Sequence, residues 1–197
     1  METLMKTTTL FSAVLLSACV TVGVADAAPA ASTAAYYYDE GARRPLTLQP
    51  GLIAEVGPGQ ATVVKSALPT AEVVHASSAA TVYKAGAAEV LQTLASSRLP
   101  QARLSPVYRD GTGGPGSLRA LPGGVLVNFK PEWTAAQVGA FVSQRGLTLG
   151  QKLNLAGNWY LVNTPAGEAA LRAANAIQES GAVVSSAPNW WQQASAR

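Results

Sequence analysis

Val125-Leu126-Val127-Asn128-Phe129-Lys130-Pro131 is the stretch on which the fold turns. Its first five residues alternate under β-favouring chemistry and stop at Pro131, which predicts a strand with Val125, Val127 and Phe129 on one face. A helix signal follows at once. Thr134 with Gln137 three residues on forms a capping box, and Trp133 is placed to staple onto Val138. Val138, Phe141 and Val142 then supply an apolar stripe until Gly146 ends the helix. Leu147, Leu149, Leu153 and Leu155 fall on odd positions, Ala156-Gly157-Asn158 reads as a turn, and Trp159-Tyr160-Leu161-Val162 returns, which predicts a hairpin. A second helix is expected with Thr164 as N-cap and Pro165 at its first position, carrying Ala170, Ala173, Ala174 and Ile177 on one side up to Gly181. Ala182-Val183-Val184-Ser185-Ser186 is the last strand, stopped by Pro188. The class is α+β, and the order βαββαβ builds a ferredoxin-like antiparallel sheet with two helices on one face. Its other face stays uncovered and is a candidate docking surface.

Working upstream, the N-terminal half carries a fainter copy of this pattern. Residues 51–56 resemble 123–129, Thr81-Val82-Tyr83 stands 77 residues before Asn158-Trp159-Tyr160, and Leu94 and Val107 precede Leu171 and Val184 by the same 77. A shared offset over a strand, a helix and a strand suggests duplication. Ahead of it, Tyr36-Tyr37-Tyr38-Asp39-Glu40-Gly41 followed by Arg43-Arg44-Pro45-Leu46-Thr47-Leu48 reads as an additional hairpin. The densest breaker cluster, Asp110-Gly111-Thr112-Gly113-Gly114-Pro115-Gly116, reads as a linker; it lacks the Lys and Ser/Thr that would make it a phosphate cradle. The expected organisation is a signal peptide over 1–27, a small-residue leader over 28–35, a hairpin and first α+β module over 36–109, a Gly/Pro-rich linker over 110–118, a second module over 119–189 and a tail over 190–197.

Composition removes several classes of function. The chain has 197 residues, 48% of them hydrophobic and 13% charged, and a net charge of +3. That charge is small and dispersed, which argues against nucleic acid as a partner. One Cys and one His exclude multi-cysteine zinc sites, disulfide frameworks and iron-sulfur clusters, so no metal or cofactor is expected. At the N-terminus, Lys6, the apolar residues 10–24 and Ala25-Asp26-Ala27 read as a secretory signal, predicting export to the periplasm or beyond. Leu16-Ser17-Ala18-Cys19 is equally a lipobox, in which Cys19 would be acylated and the protein held at a membrane; both cleavages stay open.

From residue 36 onward the chain resembles the N-terminal propeptide of subtilisin-like serine proteases, including the longer bacterial type that opens with a tyrosine-rich hairpin. The residues carrying the resemblance are Tyr36-Tyr37-Tyr38 with Arg44-Pro45-Leu46-Thr47-Leu48, then Val125-Leu126-Val127-Asn128-Phe129-Lys130-Pro131, and Ala187-Pro188-Asn189-Trp190. The resemblance implies a βαββαβ domain that lays its open sheet face on two surface helices of the protease and its C-terminal tail along the active-site cleft. Such a domain is both folding chaperone and inhibitor. The family's catalytic motifs are absent here, and His75 alone completes no triad. The family's carboxylate just before the Pro-Asn is also missing, Ser185, Ser186 and Ala187 standing there instead.

The expected function is therefore binding in trans to a subtilisin/kexin-like serine protease, with no enzyme activity and no small-molecule substrate. Ala194, Ser195, Ala196 and Arg197 would fill the pockets before the scissile position, Arg197 asking for an acidic pocket. Pro188, Asn189, Trp190 and Trp191 are the further interface candidates, although a tryptophan pair serves cores as well as interfaces. A terminal Arg is as readily a solubilising end. The alternative is a structural or adhesive envelope protein, lipidated or not, with no protease partner. Glu132, Glu168 and Glu179 are explained as helix-end and surface charges rather than a catalytic set.

Overall fold

A computed structural model describes residues 35–57, 63–96, 103–111 and 117–193, all within one compact unit, Thr33–Arg197. The expected signal segment with Cys19, the leader up to residue 34, glycine-cluster residues 112–116 and the tail residues Ala194, Ser195, Ala196 and Arg197 lie outside the described residues.

The chain is α+β, with antiparallel sheets. The hairpin expected at the start is β1 (Tyr36–Asp39) and the first part of β2 (Ala42–Val56), with Asp39 opposite Ala42. Glu40 and Gly41 both have positive φ, 49° and 79°, as a two-residue hairpin turn matched to strand twist requires. Then come α1 (Val63–Ala67), β3 (Glu72–Ala76), β4 (Ala80–Lys84), α2 (Ala87–Ala95), β5 (Leu104–Asp110) and β6 (Leu118–Ala120). The second half contains β7 (Val125–Phe129), α3 (Ala135–Ser143), β8 (Thr148–Lys152), β9 (Asn158–Asn163), α4 (Glu168–Glu179), β10 (Ser185–Pro188) and β11 (Trp191–Gln192).

The decisive stretch alternates as expected, Val125, Val127 and Phe129 buried and Leu126 and Asn128 half-buried. α3 starts at its capping box: Thr134 N donates to Gln137 Oε1 at 2.8 Å and Gln137 N to Thr134 Oγ1 at 3.3 Å. Trp133 closes the entry, its ring 5.6 Å from Phe129 and 5.3 Å from Phe141. The spatial order is β10-β7-β9-β8, every neighbour antiparallel. Phe141 and Val142 of α3 and Ala174 and Ile177 of α4 join Val127 and Phe129 in one cluster, so both helices cover the same face.

Three local expectations shift. α4 begins at Glu168, not Pro165, because Thr164 Oγ1 accepts from Gly124 N at 2.9 Å instead of capping the helix. The chain is tight there: a Cβ on Gly123 would lie 2.6 Å from Thr164 O, so a glycine at φ +97° is required. The last strand starts at Ser185 and includes Pro188, which an edge strand tolerates because one row of its N–H groups has no neighbour. Asn158 is not a turn residue but the first of β9, buried, with Nδ2 donating to Lys130 O and Trp133 O.

In the first half the order β5-β2-β4-β3 is again fully antiparallel. Counting from Gly51 in β2, both halves thus run strand-helix-strand-strand-helix-strand and place the fourth strand beside the first, then the third, then the second. The first sheet is larger, because β6 pairs with β5 and β11 pairs with β6. The glycine cluster therefore connects β5 to β6 within one sheet, and residues 121–124 make the passage between the halves.

This first sheet is rolled. β11 and β3 are its two ends, yet the Trp191 ring lies 5.3 Å from the His75 ring of β3, and Trp191 Nε1 donates to Ser77 Oγ at 3.2 Å. Trp191 thus fills the inside of the roll with small residues such as Ala54, Ala80, Val82, Val107 and Ala120. α1 and α2 cover the outside through Val64 and Val90, packed with Ile53, Tyr83 and Leu104. α4 serves both halves. Its Ala174 and Ile177 face the second sheet, while Ala170 and Leu171 pack with Tyr37, Leu46 and Tyr108 of the first.

Candidate functional site

Alternation that buries one side of β7 and β9 presents the other to solvent, and two cross-strand rungs define it. Ala187, Leu126 and Leu161 lie opposite one another across β10, β7 and β9; Ser185, Asn128 and Trp159 form the next rung. All six are half-buried, and none is charged. None of the hydrophobic clusters formed by the described residues includes Leu126, Trp159 or Leu161. Polar groups on the face are held in place. Asn128 Oδ1 accepts from Asn158 N at 3.1 Å, and Trp159 Nε1 donates to Ala156 O at 3.1 Å. Val184 and Leu155, 54% and 57% exposed, stand at the Trp159 end. A solvated antiparallel face is ordinarily polar. This one carries two leucines and a tryptophan.

The sequence candidates divide at Asn189. Asn189 borders the face, its Cβ and the Leu161 side chain both standing over Gly124, and its Nδ2 donates to Gly123 O at 3.3 Å. Pro188 is buried opposite Val125. Trp190 and Trp191 pack against the rest of the molecule, the first half-buried and the second buried. The Trp190 ring packs edge-on against Tyr37 at 5.4 Å, with the Arg119 guanidinium 5.4 Å from it, and Trp191 is 8% exposed in the roll. The expected eight-residue tail is thus strand over Trp191–Gln192, and Gln193 N still donates to Leu118 O at 2.9 Å. Burial of two large aromatic surfaces against the first sheet outweighs the freedom of an extended end.

The remaining candidates are scattered. His75 lies in a strand, its ring against Trp191. Glu132 is exposed ahead of α3. Glu168 opens α4 and pairs with Arg172 at 3.2 Å. Glu179 closes α4, where the helix dipole disfavours an anion, and is held by Tyr36 Oη at 2.7 Å and Tyr38 Oη at 3.2 Å. The hydrogen bond to Glu179 raises the Tyr36 pKa above 10.0; burial and then the same carboxylate raise that of Tyr38. Among the described residues no group of His, Cys, Asp and Glu could hold a metal ion, and no helix is long and apolar enough to cross a membrane. What sequence reading missed is Leu126, Asn128, Trp159 and Leu161 as a set; their signal was the complement of the alternation that gave the core.

Comparison with known proteins adds nothing to this geometry: no family model, no curated protein and no solved structure matches the chain.

Proposed function

We propose that the chain is an exported, stand-alone propeptide-like protein that binds a subtilisin/kexin-like serine protease in trans, assists its folding and then holds it inactive. In this reading each half is a ferredoxin-like module, the two related by duplication, and the second docks through its open face. The observation that carries the reading is the uncharged, apolar face made by Leu126, Leu161 and Trp159, opposite both helices of its module. The sheet contributes most of the affinity, since a few extended residues leave little after ordering costs are met. Residues Ala194, Ser195, Ala196 and Arg197 are the cleft segment, leaving from a strand that already holds the chain extended. Extended chain is what pairing beside a protease cleft needs. A ligand that binds only the folded protease at about 1,000 times its dissociation constant adds roughly 4 kcal/mol to its stability.

The test is to dilute a denatured subtilisin/kexin-like protease, made without its own propeptide, into native buffer with and without residues 28–197 of this protein. Activity that first recovers and is then inhibited supports the reading; neither effect sinks it. The packing of Trp190 and Trp191 against the rest of the fold favours a second reading, a structural or adhesive envelope protein. Deletion of residues 194–197 separates the two, since the protease reading requires inhibition to be lost while the structural one requires no change in surface assembly.

A further inference from the structure

A groove runs along α4 on the side facing the first half, away from the open sheet face. It consists of two hollows that share Glu168 and Arg172, of about 440 and about 390 Å³. The first is apolar, walled by Leu48, Leu91, Leu94, Pro106 and Pro165. Leu48 and Leu91 are 38% and 50% exposed, so two large apolar side chains are left wet at its mouth.

The second hollow holds two acceptors, Glu179 Oε2 and Asn175 Oδ1, that bond no donor among the described residues. Both tyrosine hydroxyls that reach Glu179 bond the same oxygen, Oε1, and among the described residues Glu179 has no cationic partner. One turn earlier on the same helix, Asn175 gives its Nδ2 to Tyr36 O at 2.9 Å while its Oδ1 is buried without a donor. Asn175 and Glu179 both line the hollow, with the Tyr36 side chain and Tyr108. Among the residues lining it, Glu168, Arg172 and Glu179 leave one negative charge in excess, with the Arg43 guanidinium next to it, 3.4 Å from the Tyr36 ring. A buried acceptor without a donor is costly, and so is an anion at a helix C-terminus. A donor-rich cation would relieve both at once.

We propose that this groove binds an extended segment of a partner protein carrying an apolar side chain and, four residues further on, a lysine or arginine. The spacing follows from the helix: Glu168 to Glu179 spans about 16 Å, extended residues four apart at roughly 3.3 Å each stand about 13 Å apart, and the long lysine or arginine side chain covers the rest. Side chains four apart point the same way. The apolar one enters the leucine-walled hollow and the cation meets Glu179 Oε2 and Asn175 Oδ1. The site is independent of the protease reading, because it shares no residue with the two rungs of the open face.

The experiment is fluorescence anisotropy of the full chain with labelled heptapeptides that have leucine second and lysine sixth, separated by serine and threonine. Saturable binding is expected, weakened about tenfold or more by Glu179→Gln, as loss of a charge-assisted bond predicts. Gln retains an acceptor for the tyrosines, so the fold is kept. Leu91→Glu, at an exposed position, and replacement of the peptide lysine by glutamate should each abolish binding. Trp159→Ala should leave it unchanged. No saturation into the millimolar range, indifference to Glu179→Gln, or loss with Trp159→Ala would each overturn the proposal.

Discussion

The two halves share one strand order and treat the face away from their helices in opposite ways. The first half rolls that face shut and lines it with Ala54, Ala80, Val82 and Ala120, small enough to leave room for one tryptophan. The second leaves it open and plants Leu126, Leu161 and Trp159 on it. The difference is not in the βαββαβ order but in what is added to it. β6 and β11 extend the first sheet until its ends meet, whereas the second sheet ends at β10 and β8. Closure also comes from outside: the plug, Trp191, is supplied by chain that has just left the second half. Small residues under a lid and large ones in the open are the reverse of what solvent exposure alone would select.

Removing the plug should hurt most. Trp191→Ala leaves a cavity among residues too small to collapse into it. A loss of about 3–5 kcal/mol is expected in urea unfolding. A loss under about 1 kcal/mol would mean that the roll stays shut without its tryptophan, and the contrast between the halves would weaken.

The next contrast concerns how each half starts its first helix. α1 is only five residues long and takes its cap from the preceding strand: Glu55, 1% exposed, accepts from Val64 N at 3.0 Å and Val63 N at 3.2 Å while pairing with Arg103 at 3.1 Å. α3 is capped locally and in solvent by Thr134 and Gln137. Glu55→Ala should therefore cost about 3 kcal/mol, removing a buried charge that a cation and two amides depend on. Thr134→Ala should cost about 1 kcal/mol. Equal costs in chemical denaturation would show that burial of the first cap contributes nothing.

The second half was far more legible than the first, for physical reasons. Its central strand alternates and the cap of α3 is local, so Val125, Phe129, Thr134 and Gln137 announce themselves within a few residues. The first half is stabilised by distant partners: Glu55 reads as a surface acid until α1 is known to lie over it, and nothing near Trp191 says that it will pair with Ala120. The 77-residue offset holds at the third strand, where Tyr83 and Tyr160 each stand opposite a buried residue of the central strand, Ile53 and Val127. It fails for Val107 and Val184, one buried and the other exposed, because the intervening connections differ in length. Alternation gave the inner face of β7 and β9, but it says nothing of whether the outer face is roofed, so the candidate site had to wait for the strand order.

Alkaline pH should act on the first half. Burial pushes the Tyr108 phenol far above its ordinary 10.0, with Glu168 adding to the shift and Arg172 opposing it; burial and then the charge of Glu55 raise Tyr83. In each, the folded pKa lies above the unfolded one. The stability held by the neutral phenol is thus fully present below pH 10 and lost as the pH rises past it, where the unfolded chain releases its protons first. Urea midpoints measured from pH 8 upward should stay level on this account until about pH 10 and then fall. Tyr108→Phe should flatten that fall, and an unchanged slope would place the sensitivity elsewhere.

The smallest effect on stability is expected where the largest effect on binding is. Trp159 lies outside the hydrophobic clusters of the described residues, and its indole N–H donates to Ala156 O in its own hairpin. Trp159→Ala should lower stability by about 1 kcal/mol at most. If the open face is the docking surface, the same change removes the kind of residue that dominates interface energetics, and inhibition of the protease should weaken about thirtyfold or more, the equivalent of roughly 2 kcal/mol. Because neither rung carries a charge, that affinity should hardly change between low and high salt. Full inhibition by Trp159→Ala with the fold intact would mean that the leucines and tryptophan of this face serve something other than the protease. A strong salt dependence would place the contact on charged residues outside the two rungs.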